Sequence, residues 1–97
     1  MSLFDEFWFG RSIRRSAEEI LSLTIRRFSR VMRERGFEDC RILDGPHYDD
    51  LYGKWYMHVI CWTPEDWIGY RNYTEFELTI DSDGTILNIR PLRSYRR

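Results

Sequence analysis

Residues 12–35, SIRRSAEEILSLTIRRFSRVMRER, decide the fold, because no other segment is both long and periodic enough to organise a core. Ile13, Ala17, Ile20, Leu21, Thr24, Phe28, Val31 and Met32 recur at three- and four-residue spacing, which gathers them into one helical stripe. Such a helix is roughly 36 Å long, about the span of a nine- or ten-residue strand, so it can lie across a whole sheet. Two starts are open. Ser12 can cap the first periodic residue, whereas Ser16-Ala17-Glu18-Glu19 reads as a capping box. Arg33 and Arg35 suit the last turn, and Gly36 supplies the residue that commonly ends a helix.

The chain that follows reads as the sheet this stripe needs. Residues 37–43 form a short strand with Cys40 and Ile42 on one side and Asp39, Arg41 and Leu43 on the other, stopped by Gly45-Pro46. His47-Tyr48-Asp49-Asp50 then reads as an acidic loop. Residues 54–62, KWYMHVICW, are apolar on both parities and predict a central strand covered on both sides. Thr63-Pro64-Glu65-Asp66-Trp67 has the grammar of a helical turn.

Residues 70–80 and 85–92 predict a hairpin across Asp83-Gly84. A two-residue turn sets Ile80 opposite Leu87, Leu78 opposite Ile89 and Phe76 near Pro91. The same register pairs Thr79 with Asn88 and Glu77 with Arg90 on the other face. Apolar alternation and opposite charge thus agree on one register. The basic tail, residues 93–97, reads as frayed.

The expected architecture is an α+β two-layer sandwich over residues 1–97 as a single domain: helix 12–35 packed on an antiparallel sheet of about four strands within 37–92. The order α-β-β-β-β is similar to a cystatin-like arrangement, a likeness of topology that carries no motif and so no function. One helix covers only one face of such a sheet. The other face would carry Tyr73, Glu75, Glu77, Thr79 and Ile86 beside one parity of the central strand. Large apolar patches are rarely bare in soluble monomers. Cover must come from the aromatic N-terminal segment 1–10, MSLFDEFWFG, from a second copy as a homodimer, or from another protein.

Charge is patterned although the net is −1: residues 1–10 carry −2, 11–35 carry +5, 38–83 carry −8 and 90–97 carry +4. No apolar run is long enough for a membrane span, and an acidic aromatic segment is a poor membrane-surface helix. Cys40 and Cys61 lack paired spacing, so the expectation is free thiols in a cytoplasmic protein.

No catalytic signature emerges. CxxC, HxH, HExxH, a phosphate-cradling glycine loop and a nucleophile elbow are all missing from the sequence. Asp49, Asp50, Glu65 and Asp66 lie on two loops that could meet at one end of the sheet. The reading is therefore not an enzyme, with no cofactor and no metal. The expected function is a protein–protein interaction module: a small adaptor, regulator or stoichiometric inhibitor that occupies a partner's surface. Inhibitors of nucleic-acid-handling machines, such as phage anti-defence proteins, are one class. Its partner-binding candidates are Phe4, Phe7, Trp8, Asp49, Asp50, Glu65, Asp66 and Trp67. The alternative is nucleic-acid binding through Arg15, Arg26, Arg30, Arg33, Arg93, Tyr95, Arg96 and Arg97. A second alternative is a ligand-binding protein or enzyme with a pocket between helix and sheet.

Overall fold

The computed structural model describes residues 16–97. Ser12, Ile13 and the aromatic segment 1–10 lie outside these residues. Within them the helix takes the second of the two starts. Helix α1 runs Ala17–Glu34 behind Ser16, whose side chain accepts the Glu19 N–H while the Glu19 carboxylate accepts the Ser16 N–H. Ile20, Thr24, Phe28 and Met32, each four residues on from the last, form its buried line. At the far end Gly36 adopts φ 97°, Phe37 N–H bonds the Met32 carbonyl and Gly36 N–H bonds that of Arg33. That bond pair closes the helix. Phe37 therefore belongs to the helix stop and sets its ring edge-on to Phe76, rather than opening the first strand.

The chain then forms β1 (Asp39–Asp49), β2 (Lys54–Trp62), β3 (Asn72–Asp81) and β4 (Ile86–Arg96), one antiparallel sheet in sequence order. The α+β class and the order α-β-β-β-β are as the sequence indicates. The core lies between α1 and the sheet: Ile20, Phe28 and Met32 meet Trp55, Met57, Val59 and Cys61 of β2 and Phe76, Leu78 and Ile80 of β3. Phe28 and Phe76 pack edge to face at 5.7 Å between centroids.

The hairpin register holds in its middle. Glu77, Leu78 and Thr79 face Arg90, Ile89 and Asn88, and Phe76 faces Pro91. It slips at both ends, so Ile80 faces Ile86, not Leu87. Ile86 thereby joins the helix-side core instead of the uncovered face. The turn is longer than the two residues expected, with Asp81 N–H bonded to the Thr85 carbonyl.

Each slip leaves an extra residue in an edge strand, and at three of the four slips the spare residue is a leucine. Leu87 and Leu92 have no counterpart in β3, Leu43 has none in β2, and all three are exposed. Bulges thus turn out side chains that strict alternation would assign to one face or the other. β1 also continues through Gly45-Pro46, a cis peptide, rather than stopping there, with a further slip between Asp44 and His47. His47, Tyr48 and Asp49 are consequently strand residues.

Three further expectations are corrected. Thr63–Trp67 forms no helical turn but an open loop, shaped by the Asp66 carboxylate accepting the Ile68 and Tyr70 N–H groups. The tail 93–97 is not frayed. Its residues extend β4 to Arg96, and Arg97 exchanges two backbone hydrogen bonds with Arg71. Cys40 and Cys61 are not free thiols. They face each other across β1 and β2, Cα atoms 4.0 Å apart, joined as a disulfide.

Candidate binding site on the uncovered sheet face

Alternation sends every second residue of each strand away from α1. Register assigns to that side Arg41, Asp44 and His47 of β1, Tyr56, His58, Ile60 and Trp62 of β2, Tyr73, Glu75, Glu77 and Thr79 of β3, and Asn88, Arg90, Arg93 and Tyr95 of β4. Among the described residues no helix or strand crosses this face.

The face divides by charge. At the end where β2 leaves the sheet, Trp62, Tyr73 and Tyr95 stand in a row across adjacent strands. Tyr73 and Tyr95 are stacked at 5.5 Å, and Trp62 is tilted to Tyr73 at 6.4 Å. Arg97 lies over both tyrosine rings, at 5.4 and 5.5 Å. Beside the row a cleft of about 380 Å³ is lined by Arg41, Ile60, Trp62, Arg71, Tyr73 and Arg97. Arg71 is held there by the Glu38 carboxylate and the Thr63 carbonyl, and the Glu38 bond raises its pKa further. Arg41 is exposed, and among the described residues no carboxylate lies within ion-pair distance of it.

The middle of the face is a closed polar network. Glu75 is 4 % exposed yet ionised, because its carboxylate meets Arg93 Nε at 3.0 Å and His58 Nε2 at 3.0 Å. Burial pushes its pKa up, but the guanidinium and imidazole contacts outweigh that and hold it below the usual value. At the other end a recess of about 180 Å³ is bounded by Asp44, His47, Tyr56, His58, Glu77 and Leu92. Two of its acids already have partners, Asp44 with His47 and Glu77 with Arg90. Among the described residues no group of three or more His, Cys, Asp or Glu is arranged to hold a metal ion.

The residues singled out from sequence scatter. Phe4, Phe7, Trp8 and Arg15 lie outside the described residues. The two acidic loops do not meet: Asp49 and Asp50 sit at the Lys54 end of β2 and Glu65, Asp66 and Trp67 beyond its Trp62 end, about 26 Å away at 3.3 Å per residue. Asp49 accepts the Leu51 N–H and Asp66 is tied to Tyr70, Ile68 and Arg96, so both shape their own loops. The Tyr70 N–H is the chief reason the Asp66 pKa is lowered. Trp67 is 94 % exposed. Arg26 and Arg30 project from the solvent side of α1, and Arg33 approaches Asp39 at 3.9 Å. Those helix arginines are on the opposite side of the sheet from Arg93, Tyr95 and Arg97.

Sequence reading missed Arg41, Trp62, Arg71 and Tyr73 as neighbours of the tail. The signal was available: extending the 77–90 pairing into the tail brings Tyr73 toward Tyr95. Among known proteins the chain matches no family model, no curated protein and no solved structure. No helix of the described residues is long and apolar enough to cross a membrane.

Proposed function

We propose that this protein is a non-catalytic interaction module that binds a partner protein on the uncovered face of its sheet. The observation that carries this reading is the face itself: an arginine-lined cleft with aromatic walls at one end, an acid- and histidine-lined recess at the other, and an ion network centred on the buried Glu75 between them. A divided face of this kind selects a partner by charge arrangement and fixes its orientation. Aromatic and arginine side chains are also the types that dominate binding energy at protein interfaces. An adaptor or stoichiometric inhibitor acts in this way without chemistry of its own.

The disulfide supports an oxidising compartment rather than the cytoplasmic one expected from sequence. It weighs against the intracellular inhibitor class for the same reason.

The test maps the face. The protein is used to capture partners from its native host, beside a sheet-face variant, Tyr56→Arg, and a helix-face variant, Arg26→Glu with Arg30→Glu. Retention of the same protein by the wild type and the helix variant, with loss by Tyr56→Arg, is the expected result. Capture indifferent to Tyr56→Arg overturns the proposal.

Nucleic-acid binding is favoured by one observation, the row Trp62, Tyr73 and Tyr95 among arginines, the composition of a base-stacking platform. Two features count against it. The tyrosine faces are taken up by each other and by Arg97. A phosphate backbone crossing the sheet would also run into Asp44 and Glu77. A second copy of this chain is the remaining occupant, which a mass measurement by light scattering over a dilution series distinguishes.

A further inference from the structure

We infer that the cleft between Trp62 and Tyr73 is a carboxylate-recognition site, taking a glutamate or aspartate side chain from an acidic, partly apolar segment of the partner. This rests on the reading of the uncovered face as a protein-binding surface and adds the chemistry of what enters it.

The argument begins with how the guanidinium groups are held. Arg97 lies over Tyr73 and Tyr95, and its backbone is fixed by paired hydrogen bonds to Arg71. A guanidinium whose plane is engaged by rings still has its N–H edge to offer, and that edge matches a carboxylate bidentately. Arg71 is held by Glu38 and Thr63, with Glu65 at 3.9 Å. Arg41 stands across the cleft. Three cations thus line one small volume, and the carboxylates near it among the described residues, Glu38 and Glu65, both address Arg71. Much of the ordering cost of binding an anion is met before it arrives.

The walls decide which anion. Ile60 and Trp62 give the cleft an apolar side, which suits a carboxylate carried on a segment with apolar neighbours. The positive region is local: Glu77 faces the recess beyond the Glu75 network. A single carboxylate fits this distribution, whereas a continuous polyanion is repelled along its length.

The test uses the full chain and a fluorescein-labelled peptide with one glutamate flanked by leucines and serines, read by anisotropy. Controls are the same peptide with glutamine for glutamate, a labelled oligothymidylate of similar length, and the unlabelled peptide LFDEFWF, residues 3–9 of this chain. Saturable binding of the glutamate peptide is expected, about tenfold weaker for the glutamine form and for the double variant Arg41→Ala with Arg97→Ala. The pair Arg41→Lys with Arg97→Lys keeps the charge without the fork and should recover only part of that loss. Both arginines are exposed, so the variants keep the fold, which circular dichroism checks.

Equal binding of glutamate and glutamine peptides, or none of either, overturns the site. Tighter binding of the oligothymidylate overturns it in favour of nucleic acid, and displacement of the probe by a lower concentration of LFDEFWF in favour of this chain's own segment. A partner captured from the host, lost with Tyr56→Arg but kept by the arginine double variant, sinks the carboxylate site and leaves the proposed function standing. Carboxylate-dependent peptide binding with no face-dependent capture does the reverse.

Discussion

Glu75 and His58 meet on the uncovered face with their side-chain atoms 3.0 Å apart, and Glu75 is 4 % exposed although it carries a charge. The carboxylate stays ionised because Arg93 closes its other side. Its folded-state pKa is therefore below the unfolded one. A depressed carboxylate adds stability that is fully present above the unfolded value and is lost as pH falls through the folded value. Denaturation by urea at a series of pH values should show the midpoint dropping on the acid side, below the ordinary glutamate range. In Glu75→Gln the protein should be less stable at neutral pH and its acid-side slope flatter. An unchanged slope would remove the carboxylate from the account.

The Cys40–Cys61 bond closes a loop between residues 21 positions apart. In the chain-entropy description, a cross-link of this size stabilises by about 3 kcal/mol, within a usual range of about 2–4. Urea unfolding with and without a reducing agent should differ by that order. A thiol titration in denaturant before reduction should find no reactive cysteine, and finding two would contradict the bond.

Phe28 is fully buried at the centre of the helix stripe and meets Phe76 edge to face. Phe28→Ala removes both the burial and the ring contact, at a cost of about 3–5 kcal/mol. Equilibrium unfolding measures the loss. A cost below about 1 kcal/mol would mean that the helix does not lie on this sheet.

Thr24 is buried in the same stripe, and its hydroxyl has no hydrogen-bond partner among the described residues. Thr24→Val keeps the branched shape and removes an unsatisfied polar atom, so it should stabilise by about 1 kcal/mol. A drop in the thermal midpoint would show that the hydroxyl is satisfied in solution.

Gly45 adopts φ 97°, and a Cβ placed there would come 2.8 Å from the backbone oxygen of Tyr56. Neither the torsion nor the neighbour can give way cheaply. Gly45→Ala should therefore destabilise by more than about 1 kcal/mol. Chemical denaturation reads it directly.

What the chain disclosed in advance was mainly periodic. The α1 stripe and the centre of the β3–β4 register follow from spacing, because burial on one face imposes a period and residues 20–32 and 76–80 obey it, while β2 was legible as an unbroken run of strand-forming residues over 54–62. What it concealed was aperiodic. Leu87 looks like a core residue in an alternating pattern, and only the bulges reveal it, with Leu43 and Leu92, as spare. The disulfide was hidden similarly, since Cys40 and Cys61 become neighbours only once β1 is paired to β2. Most of the candidate site depends on reading residues 93–97 as strand. Three arginines in five residues suggest solvent, whereas their rings and ion pairs at Tyr73, Tyr70, Glu75 and Asp66 hold them to the sheet.

Pro46 and Pro91 have a consequence for crowding. One sits in each outermost strand, beside a bulge, so neither border offers an unbroken ladder of amide donors to a neighbouring molecule. Sideways growth into ribbons or fibrils is thereby discouraged at both margins. Replacing either proline with valine should shorten the lag before dye-binding aggregates form in concentrated, agitated solution. The sheet is a finished tile, open to company only from above.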